Sequence, residues 1–234
     1  MKHIISFSVY GDNPKYTIGI LRNIELADII YPGWWVYIYH DSSVPKENIE
    51  LYNQFDYVKT VDMTGSEYPG MFWRFLVEDD VFISRDADSR LSLREKYAVD
   101  EWLYSGKRFH VLRDHPAHSS IAVPGGMWGI KRINPGQNVN MQMTIQTWLK
   151  NNTGTDAYGQ DQIFLQGLYM YHKQQNDIMV HDSLGTFDDI SIPFPTKLAP
   201  SYHFIGEVFD ENDLPRPDHH NDWLNNRDNE RIKK

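Results

Sequence analysis

Asp86 and Asp88 are separated by a single residue, Ala87, and directly follow the short apolar run from Val81 to Ser84 and Arg85. Residues two apart in an extended segment project to the same side, so this spacing offers two carboxylates to one cation. Oxygen-only ligands select a hard ion, Mg²⁺ or Mn²⁺, over zinc. A diphosphate would supply the remaining oxygens, and the ion would then stabilise negative charge growing on a phosphate leaving group. Taken alone, Asp-x-Asp also describes a solvated acidic turn. Its surroundings argue for chemistry: the pair follows a strand pattern after a β-α-β opening, and Arg85 and Arg90 flank it as candidate phosphate partners.

The elements that must position this pair are readable from pattern. Ile4 to Tyr10 is rich in β-branched and aromatic residues and stops at Gly11-Asp12-Asn13-Pro14, a strand followed by a turn. Asn13 can cap a helix that has Pro14 in its first position, and Tyr16, Ile20, Ile24, Ala27 and Tyr31 form one apolar stripe ending before Pro32. Trp34 to His40 reads as a buried strand, Pro45 to Phe55 as a short helix and Tyr57 to Met63 as a third strand. Such alternation implies a parallel sheet covered by helices, with ligands collected at the carboxyl ends of its strands. Further on, the pattern predicts a helix over Pro69 to Glu78 and the strand Val81 to Ser84. A helix follows from a Ser92/Glu95 capping box to Gly106, and then a strand from Phe109 to Leu112. Gly125-Gly126 ahead of Met127 to Ile130 suggests a glycine-bent strand near a binding surface. Helical spacing covers Met141 to Leu149 and Gln160 to Tyr171, and Ile178 to Val180 leads as a strand into His181-Asp182. From Asp210 the chain is polar and interrupted by proline, a tail with little to bury and no assigned structure.

Composition narrows the function. With 234 residues, 41% of them apolar, the chain fits one α/β domain with a full core. A formal net charge of −9 opposes a surface that tracks nucleic-acid phosphates, so nucleic acid is excluded as main partner. Without cysteine there is no disulfide framework and no thiolate zinc site, which suits a reducing, cytoplasmic setting. The longest apolar stretch, near Ile29 to Tyr39, is broken by Pro32 and Gly33 and falls short of the roughly 20 residues of a membrane helix. The amino end runs straight into a strand pattern without signal-peptide architecture. The expectation is a protein neither secreted nor anchored by its own sequence.

With these residues in view, the chain resembles the GT-A-type glycosyltransferases. In that family a nucleotide-binding α/β half ends in an Asp-x-Asp strand and an acceptor-binding half follows. More narrowly, Met71 to Phe75, Arg85 to Arg90, Arg94-Glu95 with Ala98-Val99, and Gly125 to Gly129 are similar to a little-characterised bacterial and viral group of glycosyltransferase-like proteins. The resemblance spans about Ile4 to Asp210. It implies a GT-A-like, Rossmann-like domain with a mixed, mainly parallel sheet flanked by helices, over residues 1–209. Residues 1–90 would bind the nucleotide sugar and 91–209 the acceptor, with 210–234 as a polar tail.

The implied activity is metal-dependent transfer of a sugar from a nucleoside-diphosphate-sugar donor to a hydroxyl acceptor such as a glycan, with Mn²⁺ or Mg²⁺ as cofactor. Residue by residue, the resemblance places the metal on Asp86 and Asp88, and the base and ribose on Ser8, Val9 and Tyr10. The rest of the donor falls to Arg85, Asp86 and Ala87, with Arg74 as a further phosphate contact. Family members often add a histidine ligand. His181 has the better topological position, and His203, in Tyr202-His203-Phe204-Ile205-Gly206, resembles the His-x-x-Gly of glycogenin-like enzymes. For the acceptor, Asp161 or its rival Asp114 would take the hydroxyl proton, beside Gly125, Gly126 and a sugar-stacking Trp128. Two alternatives stay open: a sugar nucleotidyltransferase, although Gly11-Asp12-Asn13-Pro14 lacks the Gly-rich basic signature of that class, and a non-catalytic nucleotide- or carbohydrate-binding module. A metal nuclease or phosphatase is disfavoured by the acidic balance and by the lack of a second acidic cluster.

Overall fold

The computed structural model describes residues 2–132, 140–197 and 203–232. The first half alternates as expected: β1 (His3–Val9), α1 (Pro14–Ile30), β2 (Trp35–His40), α2 (Lys46–Tyr52) and β3 (Val58–Asp62). A single turn, α3 (Gly70–Trp73), precedes β4 (Val81–Ser84), α4 (Leu93–Tyr104) and β5 (Phe109–Arg113). Then come β6 (Trp128–Lys131), α5 (Met141–Asn151), α6 (Gln160–Gln174), β7 (Ile178–Asp182) and α7 (Pro217–Asn226).

Local chemistry sets several of these boundaries. Asn13 accepts the Lys15 N–H at 3.0 Å with Pro14 following it, so α1 starts where an orphan donor finds a side-chain acceptor. Ser92 caps α4 by accepting from the Glu95 N–H. The reciprocal half of that capping box is missing, because the Glu95 carboxylate turns inward to Arg85 and Tyr31.

Among the described residues seven strands form one sheet in the order β3-β2-β1-β4-β6-β5-β7. Four neighbouring pairs are parallel, and only β6 runs against its neighbours β4 and β5, so the sheet is mixed and mainly parallel. Strand alternation divides the core into two layers. Ile4, Tyr39, Phe82, Trp128 and Phe164 pack on the face covered by α3, α5 and α6. Ile5, Phe7, Ile38, Ile83 and Trp102 pack on the face covered by α1, α2 and α4. Strands β2 and β3 lie on one side of β1 and β4 on the other, so strand order reverses between β1 and β4. A crevice opens at such a switch point, outside the carboxyl ends of the strands.

Two expectations are corrected. The helix predicted over Pro69 to Glu78 stops after one turn, because Arg74 leaves it to give its N–H to Ser8 Oγ at 3.0 Å while its side chain turns inward. The segment from Asp210 is not without packing. Helix α7 buries Trp223 to 3% exposure against Phe204, and Glu230 pairs with Arg94 of α4 at 2.6 Å. An aromatic anchor, a buried ion pair and the hydrogen bonds of Arg231 to Ser183 and Ser191 hold a polar segment that shows no apolar periodicity.

Candidate active site

A cavity of about 440 Å³ occupies the switch point. Ser8, Val9 and Tyr10 reach it from the end of β1, and Asp86, Ala87 and Asp88 from the segment after β4. That segment is not extended as expected. Asp86 O accepts both the Ser89 N–H at 3.2 Å and the Ser89 hydroxyl at 2.9 Å, which closes a turn. Both carboxylates nevertheless line the cavity, Asp86 with 41% of its side chain exposed and Asp88 with 14%.

Each carboxylate already meets a cation from the chain. Lys15, in the first turn of α1, places its ammonium 2.6 Å from Asp88 Oδ2. Arg74 bridges two elements, with Nη1 donating to Asp86 and Nη2 to Asp161 Oδ2 at 3.0 Å. Burial raises the Asp88 carboxyl above its ordinary range, the neighbouring Asp86 charge adds to this, and Lys15 opposes it. Burial likewise raises Asp161, with Arg74 pulling the other way. For Arg74 burial works against the charge, but Asp86 and Asp161 together hold its pKa above the ordinary arginine value. Gly125 and Gly126 are required by this crowding. A Cβ on Gly126 would collide with the Asp86 carboxylate, and one on Gly125 with Asp161 and Arg74.

Several cavity residues gave no sequence signal of their own. Lys15 and Tyr16 come from α1, Tyr158 and Gly159 from the approach to α6, and Arg216 and His219 from the C-terminal segment. The cap at Asn13 points the start of α1 at the end of β1, which was the available clue to Lys15; nothing local marked Arg216. Gly159 enters α6 at φ +84° with no side-chain cap, so the amino end of that 15-residue helix also faces the cavity. Such an end favours anions.

Six expected site residues lie elsewhere. Arg85 is 2% exposed and pairs with Glu95 at 2.9 Å, because it still follows the alternation of β4 and points to the α4 side. Arg90 turns to Asp213 at 2.8 Å. Asp114 is held by both Arg94 Nε and Nη2, at 2.8 and 2.7 Å, and accepts the Ile205 N–H, so it anchors the C-terminal segment. Trp128 is fully buried, with Phe75, Phe82 and Phe109 around its ring, and offers no face to a sugar. His181 is fully buried beside His110, 2.8 Å between ring nitrogens, with Glu101 of α4 at 3.5 Å; alternation along β7 turns it to the α4 face and away from the cavity. His203 is half-exposed and bonds to Glu207, and Tyr202 lies outside the described residues.

No family model matches the chain, and no curated protein matches it. Solved structures do. The mannosyltransferase PcManGT from Pyrobaculum calidifontis, in complex with GDP-Man and Mn²⁺, matches with a TM-score of 0.50 and 12% identity over 82% of this chain and 55% of its own. The apo glycosyltransferase GlyE of Streptococcus pneumoniae matches with a TM-score of 0.49 and 18% identity, over 74% of this chain and 44% of its own. The galactosyltransferase LgtC, with donor and acceptor sugar analogues, matches at 0.48 and 13%, over 76% and 73%. The chain thus spans about half the length of the first two. The likeness to PcManGT shows the fold: one α/β domain of the GT-A type.

Proposed function

We propose that this chain is a GT-A-type glycosyltransferase that uses a divalent cation to move a sugar from a nucleoside-diphosphate-sugar donor to a hydroxyl acceptor. One observation carries the reading: Asp86 and Asp88 share a single cavity with Lys15, Arg74 and Arg216 at the carboxyl ends of β1 and β4. Carboxylates suit a hard cation and the basic groups suit a diphosphate, and together they suit both at once.

The residues fit the cation. The ammonium of Lys15 against Asp88, at the cavity wall, supports this reading as a positive charge already held by that carboxylate, and Asp86 keeps an exposed side chain in the same cavity. When bound, Mn²⁺ or Mg²⁺ supplies Lewis acidity to the diphosphate leaving group. Ser8, Val9 and Tyr10 border the space we assign to base and ribose, and Lys15 and Arg216, ion-paired with Asp88 and Asp218, are the cavity cations we assign to the phosphates. We assign Asp161, across Arg74 from Asp86, to take the proton from the acceptor hydroxyl, with Gly125 packed directly against its carboxylate. Under this reading residues 1–90 carry the donor side and 91–209 the acceptor side.

Calorimetry with nucleoside diphosphates and Mn²⁺ tests it. Asp88→Ala is expected to lose Mn²⁺-dependent nucleotide affinity by at least tenfold, about 1.4 kcal/mol. Unchanged affinity in that variant would sink the proposal. Slow hydrolysis of the donor by the native protein separates an enzyme from a binding module.

A further inference from the structure

Outside the cavity, Glu207 is fully buried, yet among the described residues no lysine or arginine pairs with it. Its partners are two imidazoles. His203 Nδ1 stands 2.6 Å from Oε2 and His220 Nδ1 stands 2.7 Å from Oε1. The three candidate ligand atoms lie within 4.8 Å of one another, and no other group of three or more His, Asp or Glu does so among the described residues. A carboxylate removed from water demands a counter-charge. A metal cation held between the three side chains would supply it, with both imidazoles and the carboxylate as its ligands.

We propose that His203, Glu207 and His220 bind one borderline transition-metal ion of the Zn²⁺ class, which clips helix α7 to the loop at 203–209. Two imidazoles and one carboxylate are a donor set for zinc rather than for Mg²⁺ or Ca²⁺. Tetrahedral bonds of about 2.0–2.2 Å would need the present nitrogen–oxygen spacings to widen by roughly 0.8 Å. The 48% exposed side chain of His203 keeps one side open for a water as fourth ligand. The site is distinct from the Asp86/Asp88 pair in both residues and ion preference. It adjoins the same cavity, because Val208 and His219, each next in sequence to one of these ligands, line it. Occupancy would therefore stiffen one wall of the donor cavity and hold Trp223, three residues beyond His220, against Phe204.

The full chain, stripped of metal with a chelator and dialysed, should bind one Zn²⁺ with micromolar or tighter affinity in calorimetry. Its melting temperature should rise on adding Zn²⁺ and not on adding Mg²⁺ at the same concentration. His203→Ala and His220→Ala should each weaken Zn²⁺ binding at least tenfold, and both positions are exposed enough to tolerate truncation. Asp88→Ala should leave Zn²⁺ binding intact. The proposal is overturned by absence of saturable Zn²⁺ binding to the native chain, by unchanged affinity in both histidine variants, or by loss of the bound zinc in Asp88→Ala, which would put the ion on the donor carboxylates instead.

Discussion

Two sets of arginine–carboxylate pairs, chemically alike, behave as opposites in this molecule. Around the cavity, Arg74 holds Asp86 and Asp161 while 41% of the Asp86 side chain stays exposed. On the far side of the sheet, Arg85–Glu95 and Arg94–Asp114 are sealed, with side chains exposed by 6% or less. The first set borders open space at the cavity, and under the proposed function it meets the donor; the second is closed off from solvent and holds the protein together. Side-chain direction alone separates them, since Arg85 and Asp86 are neighbours in sequence and face opposite sides of the sheet.

The largest expected effect breaks the sealed set. Glu95→Ala removes the partner of Arg85 and of the Tyr31 hydroxyl at once. Stranding a buried guanidinium costs about 3–5 kcal/mol, to be read from urea unfolding. Nucleotide affinity of the remaining folded protein should not change. If affinity fell as steeply as stability, the two sets would be one network and the contrast would fail.

Next in size is a substitution at the open set. Gly126→Ala drives a Cβ into the Asp86 carboxylate and its backbone nitrogen. Nucleoside-diphosphate binding with Mn²⁺ should weaken tenfold or more, with a stability loss of about 1–3 kcal/mol from overpacking. A variant that loses stability but binds nucleotide as the native chain does would show that Asp86 is not a donor contact.

A third test uses pH. His110, fully buried and stacked on Trp102, is held neutral, chiefly by burial and further by His181. The unfolded chain takes up a proton below the ordinary histidine value of 6.5 while the native state does not. Stability from this group is therefore complete above pH 6.5 and declines as pH falls, by up to about 1.4 kcal/mol per pH unit. Unfolding free energies of His110→Gln between pH 7 and pH 5 should show a shallower slope than those of the native chain.

The sheet and the open set were not equally legible. Cap residues and periodicity are local, so Asn13-Pro14, the stripe of α1 and the alternating strands up to β3 could be read in order. The placement of β6 between β4 and β5 is a nonlocal pairing of four residues and left only a glycine signal. In the site, the positions after β1 and β4 followed from topology, which is why Ser8 to Tyr10, Asp86 and Asp88 meet at one cavity. Arg85, Trp128 and His181 were misplaced for a common reason: residue type advertised chemistry, but strand alternation turned each into the core. Lys15 and Arg216 were overlooked because a lone basic residue carries no pattern until the fold gives it a neighbour.

The smallest expected effect is at Arg90, which brackets the aspartate pair in sequence and leaves it in space. Its guanidinium reaches Asp213 and the carbonyls of Ser89 and Asp210, and lies over the Phe209 ring. Because Asp213 is 46% exposed, the ion pair is screened by water, and Arg90→Ala should cost about 1 kcal/mol or less. Nucleotide affinity should stay within twofold of the native value, whereas Arg74→Ala should lower it at least tenfold. Equal losses in the two variants would mean that proximity in sequence, rather than the direction each arginine takes, decides which of them serves the cavity.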